Sequence, residues 1–190
     1  MTRLSALLIS LLALFSIGIT AAKADHTPPP AKVIHKMAFV VDRDQELIFL
    51  EPVKTVGLSR SDVEAAMKPG GKYARYRYAT LAEVKKLVED AGVRLGKSTS
   101  SADVAKAYEL AQWLGAPAKC DAKGQTTCDI GISGQIRDLT RVFYVTVDLD
   151  AEGNPISSSV GSEKSGYEKA TASAFFGHFL AHPFTQIDQK

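Results

Sequence analysis

"YRYATLAEVKKLVEDAGV", residues 76–93, changes its hydrophobic period in mid-run, and that change decides the fold class. Up to Tyr78 the aromatics alternate with arginine, a period of two that suits a strand. From Leu81 onward, Leu81, Val84, Leu87 and Val88 recur three and four apart, the stripe of an amphipathic helix. Thr80 with Glu83 three residues later forms a capping box, and Gly92 stands where a left-handed helix stop belongs. The stretch predicts a strand, a capped helix over 81–91 and a sharp end.

The flanks extend this pattern. "MAFVVDRDQELIFLEPV" (37–53) predicts a hairpin around its polar DRDQ turn. In "GLSRSDVEAAMKPGG" (57–71), Ser61 and Glu64 read as a second capping box, with Pro69-Gly70-Gly71 as the stop. "YARYRY" (73–78) reads as one strand. Ser100 or Ser101 opens a helix over 102–114, which Gly115 and Pro117 end. Beyond residue 126 the chain turns β-rich, through "TCDIGISG", "LTRVFYVTVDLD" and "NPISSSVG" to "SAFFGHFLAHP". The run "SSSVGSEKSG" (157–166) is polar enough to read as a loop. Helices in the middle and strands at both ends predict an α+β domain over 33–188, not a βαβ alternation. Strands from both ends should share an antiparallel sheet carrying the 81–91 and 102–114 helices. Phe39, Val41, Leu47, Phe49, Val142, Tyr144, Phe176 and Leu180 are expected in its core.

The first 24 residues have the form of a secretory signal: Arg3, an uncharged apolar run over 4–20, and Ala22-Lys23-Ala24 before Asp25. An uncleaved anchor is the alternative, at the short edge of what spans a bilayer. Residues 25–32 form a Pro-rich spacer. Cleavage would remove Arg3 and Lys23 and no acid, so 23 basic residues become 21 against 21 acidic ones. A neutral mature chain gives no electrostatic basis for binding nucleic acid, and no stable membrane insertion is expected after cleavage. The expected location is periplasmic or secreted. In that setting Cys120 and Cys128, eight apart around "DAKGQTT", are expected to form a disulfide.

Candidate chemistry is sparse. His178 and His182 would share one helix face, but "FFGHFLAHP" looks like a closing strand, and the H-E-x-x-H motif is absent. Asp148, Asp150 and Glu152 begin as a calcium loop would, yet its twelfth position is Ser159. A hairpin turn around Gly153-Asn154 accounts for the same residues. No G-x-S-x-G, S-x-x-K or P-loop is present, and no cofactor is expected. Arg75, Tyr76 and Arg77 form a basic-aromatic cluster able to hold an anionic or sugar ligand. The competing reading pairs Arg77 with Glu83 inside the fold.

"DRDQELIFL", "TVGLSRSDV" and "YRYATLAEVKKLVEDAGV" together resemble a pattern of exported bacterial proteins, including secreted proteins of the PEP-CTERM sorting type. The matching positions include Asp42, Leu47, Leu50, Thr55, Gly57, Asp62, Arg77, Thr80 and Glu83. More distantly the pattern resembles Lcl C-terminal domains and their C-type-lectin-like relatives. The resemblance implies a non-catalytic binding or interaction domain whose partner is a glycan, a cell surface or a protein. A periplasmic hydrolase or metal-dependent enzyme using His178 and His182 is the alternative.

Overall fold

The computed structural model describes residues 31–120, 128–164 and 176–184. The expected leader and nearly all of the Pro-rich spacer lie outside them. No described helix is long and apolar enough to cross a membrane.

Residues from Ala31 onward form one compact unit of mixed α and β structure. In chain order the elements begin with β1 (Val33–Lys36), β2 (Phe39–Asp42) and β3 (Leu47–Leu50). A 3-10 turn at Pro52–Thr55, α1 (Arg60–Ala66), β4 (Arg77–Tyr78) and α2 (Leu81–Asp90) come next. After them run β5 (Gly96–Ser98), α3 (Ser101–Trp113), β6 (Ala118–Cys120), β7 (Cys128–Gln135), β8 (Arg141–Leu149) and β9 (Pro155–Lys164). Two short strands, β10 (Phe176–His178) and β11 (Leu180–Pro183), complete the described chain.

The strands form two sheets. One has the order β1-β2-β3-β11-β4 and is antiparallel throughout. The other has the order β10-β7-β8-β9-β5, with β6 also paired to β7. Among the described strands of that sheet only the β10–β7 pair is parallel. The expected union of the chain's two ends is present: β3 pairs with β11, bringing Phe49 opposite Ala181.

The closing stretch is not one strand, however. It serves the second sheet as β10, turns at Phe179, and enters the first sheet as β11. Phe179 is fully buried, edge-on to Phe143 at 5.9 Å. Its backbone bonds to both sides, donating to Gln135 O and accepting from Ala79 N, each at 2.9 Å. Two glycines make room for the crossing. A Cβ on Gly134 would lie 2.7 Å from the Phe179 ring, and one on Gly177 only 2.1 Å from Pro52 O.

One core gathers Val40, Phe49, the α2 stripe, the α3 face of Val104, Leu110 and Leu114, and the inward residues of β7 and β8. A smaller cluster of Leu50, Val63, Tyr73, Tyr78 and Leu180 lies on the other face of the first sheet. That sheet is therefore covered on both sides, and all four β3 residues are buried. This explains a shift in the expected core: Val40 is fully buried and Phe39 only half-buried. Tyr144 and Phe176, expected inside, are likewise only half-buried.

The helices follow their caps. Thr80 and Glu83 form the reciprocal capping box of α2, and Gly92 follows its end at φ +73°. The box expected at Ser61 and Glu64 sits two residues earlier, at Ser59 and Asp62. Asp62 reaches both the backbone N (3.0 Å) and the hydroxyl (2.6 Å) of Ser59, which leaves Ser61 inside the helix. "YARYRY" is mostly turn: Tyr73 N bonds to Ala66 O and Tyr76 N to Tyr73 O, and only Arg77 and Tyr78 are strand. The serine-rich 157–164 segment is strand β9, not loop.

Candidate functional site

The junction that opens α2 is held from within. Arg77 forks onto Glu83, with Nη1 2.9 Å from Oε2 and Nη2 2.6 Å from Oε1. Glu83 Oε2 also accepts from Thr80 N at 2.7 Å, so one carboxylate serves both the cap and the ion pair. The Arg77 hydrogen bond holds the Glu83 carboxyl below its usual range, and Glu83 raises Arg77 in return. Arg75 is exposed, with no side-chain bond among the described residues. Tyr76 lies edge-on to His182, ring centres 4.7 Å apart. Arg75, Tyr76 and Arg77 thus point to three different surroundings and do not build one site.

Behind this junction lies a buried polar node joining the two sheets. His178 on β10 is 1 % exposed, and Tyr78 on β4 is 6 % exposed. His178 Nε2 is 3.0 Å from Leu58 O and Nδ1 is 2.9 Å from the Tyr78 hydroxyl. A carbonyl can only accept, so Nε2 carries the hydrogen and Nδ1 accepts from Tyr78. Both ring nitrogens are then committed. The His178 backbone N–H also donates to Thr55 Oγ1 at 2.8 Å. Burial lowers the His178 pKa and raises that of the Tyr78 hydroxyl, which keeps the imidazole neutral and the phenol a donor.

His182 belongs to the other sheet, where its Nδ1 lies 2.8 Å from Pro183 O. Among the described residues the two histidines share no partner. Asp150 closes the β8–β9 hairpin: its Oδ1 accepts from Glu152 N (3.0 Å) and Asn154 N (2.7 Å), and its Oδ2 from Asn154 Nδ2 (3.1 Å). Glu152 is exposed in that turn, while Asp148 accepts from the Ser157 hydroxyl across the strands. Among the described residues no three His, Cys, Asp or Glu side chains converge as a metal set. Cys120 and Cys128 are direct backbone partners in the β6–β7 pair.

A polar concavity lies elsewhere, on the face of the second sheet turned away from its core. Alternation puts Val145 and Val147 inside and leaves Tyr144, Thr146 and Asp148 outside. Strand register then sets Thr146 beside Ser159, Ser159 beside Lys97, and Asp148 beside Ser157. With Thr99 these residues edge a groove of about 490 Å³. Lys97, Thr99 and Ser159 make no side-chain hydrogen bond or ion pair among the described residues. Tyr144 sits one step further along the same face, opposite Gly161, where a Cβ would lie 3.3 Å from its hydroxyl.

The sequence reading missed this groove, although "VTVDLD" carries its signal as strict alternation of apolar and polar residues. No protein-family model, curated protein or solved structure matches this chain.

Proposed function

We propose that this chain is an exported, non-catalytic binding domain, and that its groove across β5, β9 and β8 takes a hydroxyl-rich ligand such as a saccharide. The observation that carries this reading is the composition of that groove. It offers a cation at Lys97, a carboxylate at Asp148 and hydroxyls at Thr99, Thr146, Ser157 and Ser159 on a strand-built floor. Donors and acceptors fixed on strands suit a ligand that presents many hydroxyls and little apolar surface. Tyr144 adds an aromatic face on which the C–H side of a sugar ring can lie, unobstructed because its neighbour is Gly161. The commitment of both His178 nitrogens to the fold argues for binding over histidine chemistry.

Export to the periplasm or beyond is part of the proposal and is supported by the leader at 1–24. A Cys120–Cys128 disulfide is also part of it. Directly opposed strand residues have Cα atoms about 4.5–5.5 Å apart, inside the range that a disulfide spans.

A glycan array followed by calorimetry on the exported protein tests the reading. Binding of at least one saccharide is expected, weakened about tenfold in Asp148→Ala with the melting midpoint unchanged, as the loss of one charged hydrogen-bonding partner implies. No retained glycan, or full binding by Asp148→Ala, would overturn it.

A further inference from the structure

We infer a second binding site, for an oxyanion, in the cleft where α1, β4 and the β7–β8 connection meet. The cleft measures about 310 Å³ and is lined by Arg60, Arg77, Tyr78 and Arg137. Three arginines from three separate parts of the chain open onto it, and among the described residues no carboxylate lines it.

Each arginine is placed differently. Arg60 is 5 % exposed, its guanidinium stacked 3.9 Å from the centre of the Tyr78 ring. It donates from Nε to Glu64 Oε1 (3.0 Å), from Nη1 to Ile136 O (2.8 Å) and from Nη2 to Arg137 O (3.3 Å). A guanidinium has five N–H groups, so one on each terminal nitrogen has no partner among the described residues. Arg77 is fixed on one side by its fork onto Glu83. Arg137 is exposed, and its guanidinium has no partner among the described residues.

Glu64, Glu83 and Asp138 supply the neighbouring negative charge. Glu64 and Glu83 are each bonded to an arginine, and Asp138 is bonded to Thr140 and lies 3.9 Å from Arg141. Glu64 and Glu83 orient Arg60 and Arg77, and none of the three acids is among the described residues that line the cleft. A buried guanidinium held flat, with unused donors beside a second and a third, matches the charge-assisted and forked recognition of an oxyanion. The ligand class is a phosphate or sulfate ester or a carboxylate, carried free or on a larger molecule. This site is independent of the saccharide groove, shares no residue with it, and stands or falls without it.

The test uses NMR titration of the full chain at low salt with three probes: inorganic phosphate, sulfate and acetate. Saturable shifts at the Arg60 and Arg137 side-chain N–H signals and at Tyr78 are expected with at least one probe. Preference between the tetrahedral anions and acetate assigns the ester or carboxylate source. Because Arg60 is buried, the variant is Arg137→Ala, compared with Lys68→Ala, which removes the same charge from an exposed turn. Arg137→Ala should weaken binding about tenfold, the scale of one charge-assisted contact, and Lys68→Ala should not. No saturable shift at these three residues with any probe, or equal weakening by both variants, overturns the inference.

Discussion

Replacing Tyr78 with Phe removes one oxygen from the place where the two sheets are tied together. The ring stays, so its packing against Leu180 and Val63 and its contact with the Arg60 guanidinium are kept. What goes is the one donor to His178 Nδ1 among the described residues, a nitrogen on a side chain that is 1 % exposed. Water cannot replace that donor without opening the core, so the cost includes leaving a buried acceptor unsatisfied. A loss of about 1–3 kcal/mol follows. Urea denaturation monitored by far-UV circular dichroism measures it as a lower midpoint at unchanged slope.

The same variant makes a second, directional statement about pH. The folded His178 pKa lies below its ordinary value, so as pH falls through about 6.5 the unfolded chain binds the proton first. Stability from this residue is therefore full above that pH and declines as pH falls towards the depressed folded value. Buried Asp42 works in the opposite sense, because its folded pKa is raised by burial and its protonation favours the folded state as pH drops. Burial is the main cause of the His178 depression and the phenyl ring preserves it, so the decline between about pH 7 and pH 5 should persist in the variant. An unchanged midpoint would refute the buried-node reasoning.

At the α2 junction, Arg77→Ala should cost about 1 kcal/mol or less in denaturant melts, because a half-exposed ion pair is screened by water. Glu83→Ala should cost more, about 1–2 kcal/mol, since it also removes half the capping box, and Thr80→Ala about 1 kcal/mol. An Arg77 variant less stable than the Glu83 variant would reverse that ordering. Thiol titration of the protein produced in an oxidising compartment and denatured without reductant should find no free thiol. Two reactive thiols would remove the proposed Cys120–Cys128 bridge.

The α+β class and the α2 junction were legible because their causes are local. Thr80, Glu83 and Gly92 act within one or two helical turns, and Arg77 reaches Glu83 six residues away. Period reading depends on one face being wet, and it failed where that condition failed. In β3 all four residues are buried, so alternation carries no information there about which face meets the main core. β9 failed for the opposite reason: Ser157 and Ser159 face outward beside Asp148 and Thr146, and only Ser158 and Val160 are buried, which in sequence resembles a loop. The closing "GHFLAHP" could not be parsed as two strands, because what divides it is the contact of Gly177 with Pro52 and of Phe179 with Gly134, each far away in sequence.

The same distinction governs the sites. Arg75, Tyr76 and Arg77 drew attention as neighbours in the chain, but neighbours around a turn diverge, and only Arg77 opens onto the cleft. Its companions there, Arg60 and Arg137, come from a helix start and a strand connection that carry no motif. Tyr78 meets His178 across 100 residues of sequence, at a contact made only when the last strand crosses between the sheets. The node, the cleft and the crossing strand therefore form together. Any change that loosens Phe179 should disturb His178 and the arginine cleft at once, while leaving the groove on the far side of β8 to its own register.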